Sequence, residues 1–438
     1  MKMNKQTFAG LIACAMASAT QAGVLSTTDD TQLELNIEAM AGLFSASQDY
    51  VGSNGRTWQE GFVKPTFAVS HKLSNGVQAY GGLGAIALGT AGDGDAAGLT
   101  KGNEGQVDLE NAYIGLRSQN DVIDFSVGRQ TFQLGDGFLI AGDAISLGDL
   151  GVAGVDVDRG GAYYLAGKKS FSNTALLKFD PEGPYRGDLF WLQSNNPYHQ
   201  DTSLAGINIE YVDEARGTVG ISYLKVLDVD QGSGLGLWDQ REGMKAISLR
   251  GQGSLGVENL QLSFEYVKET GGSAGVKNEA DAWYVEAGWT FADLPWSPTV
   301  NYRYAQFSGD NASTAKNEAF DPLFFGFTRG FGTWFQGEVA SNYAGPANSG
   351  NDVSRLEISA SPRDNLQVGA QYWKFSPQDD APDLAGSEID LYALWSINDN
   401  WVFSPLIGIY MPEGDAVIGA QGNDDSNIYA QVIMMYFF

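Results

Sequence analysis

The chain has 438 residues, 56 of them glycine, and a formal charge of -27. Such acidity excludes a nucleic-acid binder, which needs a basic face. Beyond the N-terminal leader no apolar stretch approaches the ~20 residues of a spanning helix, so any passage through a membrane has to be made by strands.

Lys2 and Lys5 precede the apolar run Phe8 to Ala17, and Ser18-Ala19-Thr20-Gln21-Ala22 offers small residues for cleavage after Ala22. This is the pattern of a secretory signal peptide, 1–22, with 23–438 as the mature chain. Leu11-Ile12-Ala13-Cys14 has the form of a lipoprotein box, but the apolar run before it is very short. Cys14 is the one cysteine, so a mature chain has no disulfide, thiol nucleophile or thiolate metal site.

From Leu33 onward the pattern has period two. Leu33, Leu35 and Ile37 alternate with Glu34, Asn36 and Glu38; Ile207, Ile209 and Tyr211 with Asn208 and Glu210; Leu260, Leu262, Phe264 and Tyr266 with Gln261, Ser263 and Glu265. Trp283 to Trp289, Val300 to Tyr304, Arg355 to Ile358 and Glu388 to Ala393 continue it. Each is a strand with one apolar and one wet face. Many such strands in series, with Trp and Tyr ending the apolar rows, describe a membrane barrel rather than a soluble sandwich. The last segment, Asn427 to Phe438, alternates in the same way and ends on an aromatic, as a closing strand in an interfacial girdle would.

Short polar turns fall at 74–76, 118–121, 170–173, 213–217, 251–256, 292–298, 361–365 and 397–400, with long Gly/Asp/Asn-rich stretches between them. Eight such turns, plus a first and a last strand, predict an all-β, transmembrane antiparallel barrel of about 18 strands, with short periplasmic turns and long external loops. Asp188 to Gln193 and Thr333 to Tyr343 are left over and go to external loops; as barrel strands they would make the count twenty.

Two regions carry a family resemblance. Asn111 to Leu116 followed by Gly128-Arg129-Gln130 resembles the hairpin before the constriction loop of Gram-negative porins. Phe320-Asp321-Pro322-Leu323-Phe324, Gly386 to Leu391 and Ser404 to Pro412 look like the alginate-export outer-membrane family. The resemblance implies an eighteen-stranded monomeric barrel carrying small solutes or an anionic polysaccharide, in which inward arginines line the conduit.

The stretch 135–160 mixes Phe138, Leu139 and Ile140 with Asp136, Asp143, Asp149, Asp156 and Asp158. A loop with its own apolar cluster can fold into the barrel and narrow it. Opposite it, Lys178, Arg250, Arg303, Arg355 and Arg117 lie on wet rows, and acidic loop against basic wall would set up a transverse field that orients charged solutes. Arg129 is ambiguous: strict alternation from Ile123 points it at lipid, the porin resemblance points it inward, and a bulge would reconcile the two. The wet rows also hold Glu34, Glu38, Glu110, Asp124, Glu265, Glu286, Glu357, Glu388 and Asp390, so an anion conduit is not assured.

Catalysis is poorly supported. His71 and His199 stand alone as expected surface residues, and no nucleophile elbow, phosphate loop, metal cluster or cofactor motif accompanies them. The acidic stretches Gly92 to Gly98 and Gly422 to Asp425 lack calcium-loop spacing and are expected to be solvated. The expected partners are outer-membrane lipid and lipopolysaccharide, met by Lys225, Lys268 and Lys374 at the external ends of apolar rows. Barrel-insertion machinery reading the strand that ends at Phe438, and a hydrophilic solute or polysaccharide, complete the set. A channel is the first hypothesis, a dedicated exporter of acidic exopolysaccharide the second, and a plugged structural or adhesin barrel the third.

Overall fold

The computed structural model describes residues 23–438, except 51, 53, 152–155, 233–235, 274, 276, 327–336, 345–348 and 379–380. The signal-peptide expectation for 1–22 lies outside the described residues. Eighteen antiparallel strands run in sequence order. They are β1 Thr31–Ala46, β2 Arg56–Lys72, β3 Gln78–Gly92, β4 Gly105–Arg117, β5 Ile123–Thr131, β6 Ser170–Phe179, β7 Tyr185–Gln193, β8 Ser203–Asp213 and β9 Gly217–Asp228. They continue as β10 Lys245–Gly253, β11 Leu260–Gly271, β12 Lys277–Thr290, β13 Thr299–Phe307, β14 Asn351–Arg363, β15 Leu366–Pro377, β16 Gly386–Ser396, β17 Trp401–Pro412 and β18 Asn427–Phe437. Each pairs with its neighbour in the chain, and β1 pairs with β18 from Glu38↔Phe437 to Ala46↔Tyr429. The sheet is thereby a closed barrel, which leaves no full edge strand to template pairing.

Alternation decides the two faces. Outward rows expose Leu43, Val63, Leu83, Ile114, Ile221 and Ile407 as a continuous apolar band, and Val107 is 76% exposed. In water such a surface would aggregate; in a bilayer it is solvated. Tyr185 and Tyr211 meet edge to face at the periplasmic end, as do the tilted rings of Trp401 and Tyr436.

Two sequence expectations shift. Ser170-Phe171-Ser172-Asn173 is the start of β6, not a turn, because Phe171 is buried against Phe324 and Ser172 Oγ donates to the Gln193 carbonyl at 2.8 Å. The turn between β6 and β7 is Asp180-Pro181-Glu182-Gly183-Pro184, whose prolines and glycine are stronger turn formers than serine. Asp188 to Gln193 therefore belongs to a barrel strand, β7, and 161–169 is loop rather than strand. The two shifts cancel, so the count of eighteen stands. Within Thr333 to Tyr343 the described part begins at Gly337 and forms a bend leading to the short helix Ala340–Ala344.

The N-terminal arm Gly23–Thr27 pairs with Gln32 to Leu35 of β1. The closing strand stops where Phe438 exchanges backbone hydrogen bonds with Ile37. The arm thus covers the part of the β1 edge that β18 leaves open, with the Phe438 ring packed over Gly23.

Candidate functional site

Two loops fold into the extracellular half of the lumen. L3 (132–169) joins β5 to β6, and L7 (308–350) joins β13 to β14. The inward fold expected of the first loop is what the structure shows. Its tip carries Asp136, whose Oδ2 accepts from Tyr284 Oη of β12 at 2.5 Å, and Phe138, which is buried against Tyr284, Phe307 and Phe320. Gly135, with φ +60°, packs so closely on the wall that a Cβ there would lie 2.7 Å from Arg250 Cδ. Farther along, Tyr164 is buried among Phe44, Trp58 and Tyr429 of β1, β2 and β18. L3 therefore crosses the bore from the β10–β13 wall to the barrel seam.

L7 interlocks with it. Ala141 N donates to the Phe324 carbonyl at 2.7 Å, Phe324 N to the Leu139 carbonyl at 3.0 Å, and Gly326 N to the Gly137 carbonyl at 2.8 Å.

Wall carboxylates hold both loops by their backbones. Glu60 Oε2 accepts from Leu165 N at 3.0 Å; Glu110 Oε1 accepts from Lys169 N and Ser170 N at 2.7 and 3.1 Å. Glu269 Oε2 accepts from Asp321 N at 3.0 Å, and Glu388 accepts from Glu338, Val339 and Ala340 N at 2.7 to 3.0 Å. An irregular loop inside a barrel has backbone donors that need partners, and these carboxyl oxygens supply them. Glu110 and Glu388, expected among the wet-row acids, are thus anchors for loops.

A second set of contacts locks the loops to each other. Arg241 of L5 (229–244), 0% exposed, grips Asp321 of L7 through two bonds of 2.6 Å and stacks on Trp238 at 3.8 Å. His199 of L4 (194–202) lies 3.3 Å from Arg241 Nη1 and packs on the Phe324 ring. His199 is 2% exposed, so the surface expectation fails for it; burial, then Arg241 and Arg159, push its pKa well below 6.5. His71 is exposed and bonds Thr31 Oγ1 at 2.8 Å. Asp95 is buried too, not solvated as expected: its Oδ1 accepts from Leu99 N, and burial raises its pKa.

The expected basic wall divides by height. Arg250 donates to Ser222 Oγ at 2.7 Å, Asn208 Oδ1 at 2.5 Å and Glu210 Oε1 at 2.6 Å. Arg303 and Arg355 are register partners on β13 and β14, both 1% exposed, and both guanidinium groups lie over the Trp373 ring at 5.4 and 5.7 Å. They share Glu286 at 3.9 and 3.8 Å, while Arg355 also reaches Glu357 at 3.3 Å. Each arginine of this belt is therefore charge-paired.

Arg117 and Lys178 stand lower, at the periplasmic mouth. Arg117 pairs with Asp124 at 2.9 Å and lies over the Tyr80 ring; Lys178 is exposed between Asp124 and Asp188 in register. One unbroken row of register partners runs Arg117, Asp124, Lys178, Asp188, Asn208, Ser222 and Ser248 across β4 to β10. Because barrel strands tilt, such a row climbs. It leads from the mouth to Arg250 under the tip of L3.

Three expected site residues fall elsewhere. Arg129 is the register partner of Ala112, on the outward row of Ile114 and Leu116; the bulge between Gly128 and Gln130 does not turn it inward, and its Nη1 donates to Asn195 Oδ1 at 3.4 Å. Asp143 is fully buried and structural: it accepts from Ser194 Oγ at 2.8 Å and Asn196 Nδ2 at 2.9 Å and pairs with Arg159. Asp149 is on the outer surface of L3, paired with Lys101 at 2.9 Å. The residues that sequence reasoning missed are the anchors Glu60 and Glu269 and the bond between Asp321 and Arg241; their partners are distant in the chain, and no local pattern marks them.

A closed eighteen-stranded barrel with an apolar outer band and loops folded into a polar lumen is an outer-membrane channel of a Gram-negative bacterium. The family model for alginate export matches residues 85–399, and the chain belongs to that family. Among solved structures it is similar to OccAB4 of Acinetobacter baumannii, at 10% identity and a TM-score of 0.62 over 94% of this chain and 99% of that one. It is also similar to OprD of Pseudomonas aeruginosa, at 11% identity and a TM-score of 0.55 over 96% of each chain. OccD3 of Pseudomonas aeruginosa matches at 12% identity and 0.55, over 96% of this chain and 94% of that one. No curated protein matches the chain. Channel families of this kind are not enzymes.

Proposed function

We propose that the channel passes small hydrophilic solutes bearing carboxylates, guided along the row from Arg117 to Ser222 toward the buried, charge-paired belt of Arg250, Arg303 and Arg355, which sets the field beneath Asp136 rather than contacting the solute. The observation that carries this reading is the row itself. Cation and anion alternate over its first four members, Arg117, Asp124, Lys178 and Asp188, and neutral polar groups follow, which suits a dipolar or singly charged solute that exchanges partners stepwise. A polyanion would favour a wall of one sign.

Export of an acidic, alginate-like polysaccharide is the second reading. The observation in its favour is the match of residues 85–399 to the alginate-export family model. L3 crossing the bore weighs against a long polymer. In both readings Arg129, Asp143 and Asp149 take no part in the path, and the protein has no catalytic role.

The membrane context implies lipid around the outer band. We infer that residues 1–22 are a signal peptide and 23–438 the barrel, that the insertion machinery reads the strand ending at Phe438, that lipopolysaccharide meets the external rim, and that the channel works as a monomer.

Reversal potentials in planar bilayers under a salt gradient test the proposal. Changing Arg250, Arg303 and Arg355 to Gln is expected to lower relative anion permeability and to slow uptake of monocarboxylates in liposome swelling. Unchanged selectivity would remove the arginine belt from the path. Loss of secreted polymer in a deletion strain, with normal small-solute uptake, would transfer the case to the exporter.

A further inference from the structure

The outward face of β9 to β11 carries a charge arrangement that the barrel itself does not balance. Lys225 and Lys245 are register partners on adjacent strands, directly opposite one another and both exposed. They continue outward rows whose preceding members, Tyr223 and Ile247, face lipid. Like charges placed directly opposite on a sheet repel. Among the described residues neither lysine has a carboxylate partner. Asp281 engages Lys268 at 3.7 Å, Glu279 engages Lys316, and Glu269 faces the lumen, where it holds Asp321.

Lys268 is the register partner of Ile247, one step below Lys245 on the next strand. The three lysine positions thus form a triangle at the external end of the apolar band. Lys374, near the external end of β15, is different: it is held by Glu413 at 2.5 Å. Below the triangle a shallow groove runs between β11 and β12; its outward lining is apolar in Phe264, Tyr266, Trp283 and Val285, with Asp281, the partner of Lys268, closing its external end. Lysine stems lie along apolar surface while their heads reach the headgroup layer.

We propose that Lys225, Lys245 and Lys268 bind a phosphate of the phosphorylated glycolipid of the outer leaflet, with one acyl chain lying in the Phe264–Trp283 groove. A phosphate monoester carries about -1.5 to -2 charge and three acceptor oxygens, which matches two unbalanced lysines and a third that is half-balanced. The external position of the triangle selects the outer leaflet, and the groove selects a lipid over a free anion.

The test uses the purified full-length barrel in detergent, with lipid A, phosphatidylglycerol or inorganic phosphate as probes in native mass spectrometry and thermal unfolding. Wild type is expected to retain lipid A, and K225Q/K245Q to lose at least tenfold in apparent affinity, while K374Q behaves as wild type. In lipid-free detergent K225Q/K245Q is expected to unfold at a higher temperature than wild type, because the repulsion is gone. With lipid A present the order should reverse. Equal retention by the double variant, or the same order of unfolding temperatures with and without lipid A, overturns the proposal. Retention of phosphatidylglycerol equal to that of lipid A, or displacement of lipid A by millimolar phosphate, overturns the glycolipid assignment. Bilayer conductance of K225Q/K245Q should match wild type, so failure here is separate from failure of the transport reading.

Discussion

In the extracellular half of the lumen, the wall carboxylates that reach the loops face backbone; at the periplasmic mouth the wall carboxylates face cations. Glu60, Glu110, Glu269 and Glu388 accept from the amides of L3 and L7. Asp124 and Asp188 instead flank Lys178, and Asp124 holds Arg117. The same residue type on the same wall therefore does two jobs. The difference follows from what lies opposite: a loop brings unpaired N–H groups, whereas the open mouth brings water and solute. Anchors should act on stability and pore size, and track residues on selectivity.

The largest effect expected in the anchored half comes from Arg241→Ala. It leaves Asp321 buried without its cation, which costs about 3–5 kcal/mol. L7 should become sensitive to protease at a lower temperature, with the barrel intact by heat-shift on gels. Next is Glu388→Ala, which removes the acceptor of three amides. A loss of roughly 2–4 kcal/mol in loop anchoring is expected, read as larger, noisier single-channel conductance. Asp124→Ala, its counterpart in the lower half, should leave conductance steady and change only the reversal potential. Equal conductance changes in the two variants would abolish the distinction.

Gly135→Ala is expected to cost about 1–2 kcal/mol, because φ +60° disfavours a side chain. Its Cβ would also displace Arg250, so conductance and anion preference should fall together. Acidification tests the lock of loops. His199 is held neutral with its pKa depressed, so the unfolded chain binds the proton first as pH falls. The loop assembly keeps its full stability above about pH 6.5 and loses it below, at up to about 1.4 kcal/mol per pH unit. A lower loop-unfolding temperature at pH 5 than at pH 7.5 is expected, and His199→Gln should flatten the dependence. The smallest effect is Lys178→Glu, which reverses one exposed step of the track. It should change relative ion permeability about fivefold, for roughly 1 kcal/mol of screened interaction.

Sequence period and turn chemistry determined the fold. Leu33 to Glu38 and Ile207 to Tyr211 reveal their two faces locally, since a strand alternates every residue. The eighteen strands and the inward L3, with Phe138, Leu139 and Ile140 as its apolar cluster, were legible for that reason. Where local chemistry was weak, it misled: Ser170 to Asn173 resembles a turn until Phe171 is seen to have a partner in Phe324.

The site was legible only in part. Arg250, Arg303 and Arg355 were on the correct face by parity alone. That all three are charge-paired needed register, because Glu210, Glu286 and Glu357 come from other strands or other steps of the same strand. Asp143 and Asp149 are the same residue type six apart in one loop, yet one is fully buried and the other is on the outer surface. Nothing in their neighbours in sequence separates them. Composition and period fix which residues meet lipid and which meet the lumen; only closure of the barrel, which brings distant loops and wall strands together, decides which charges hold the structure and which are left to meet a solute.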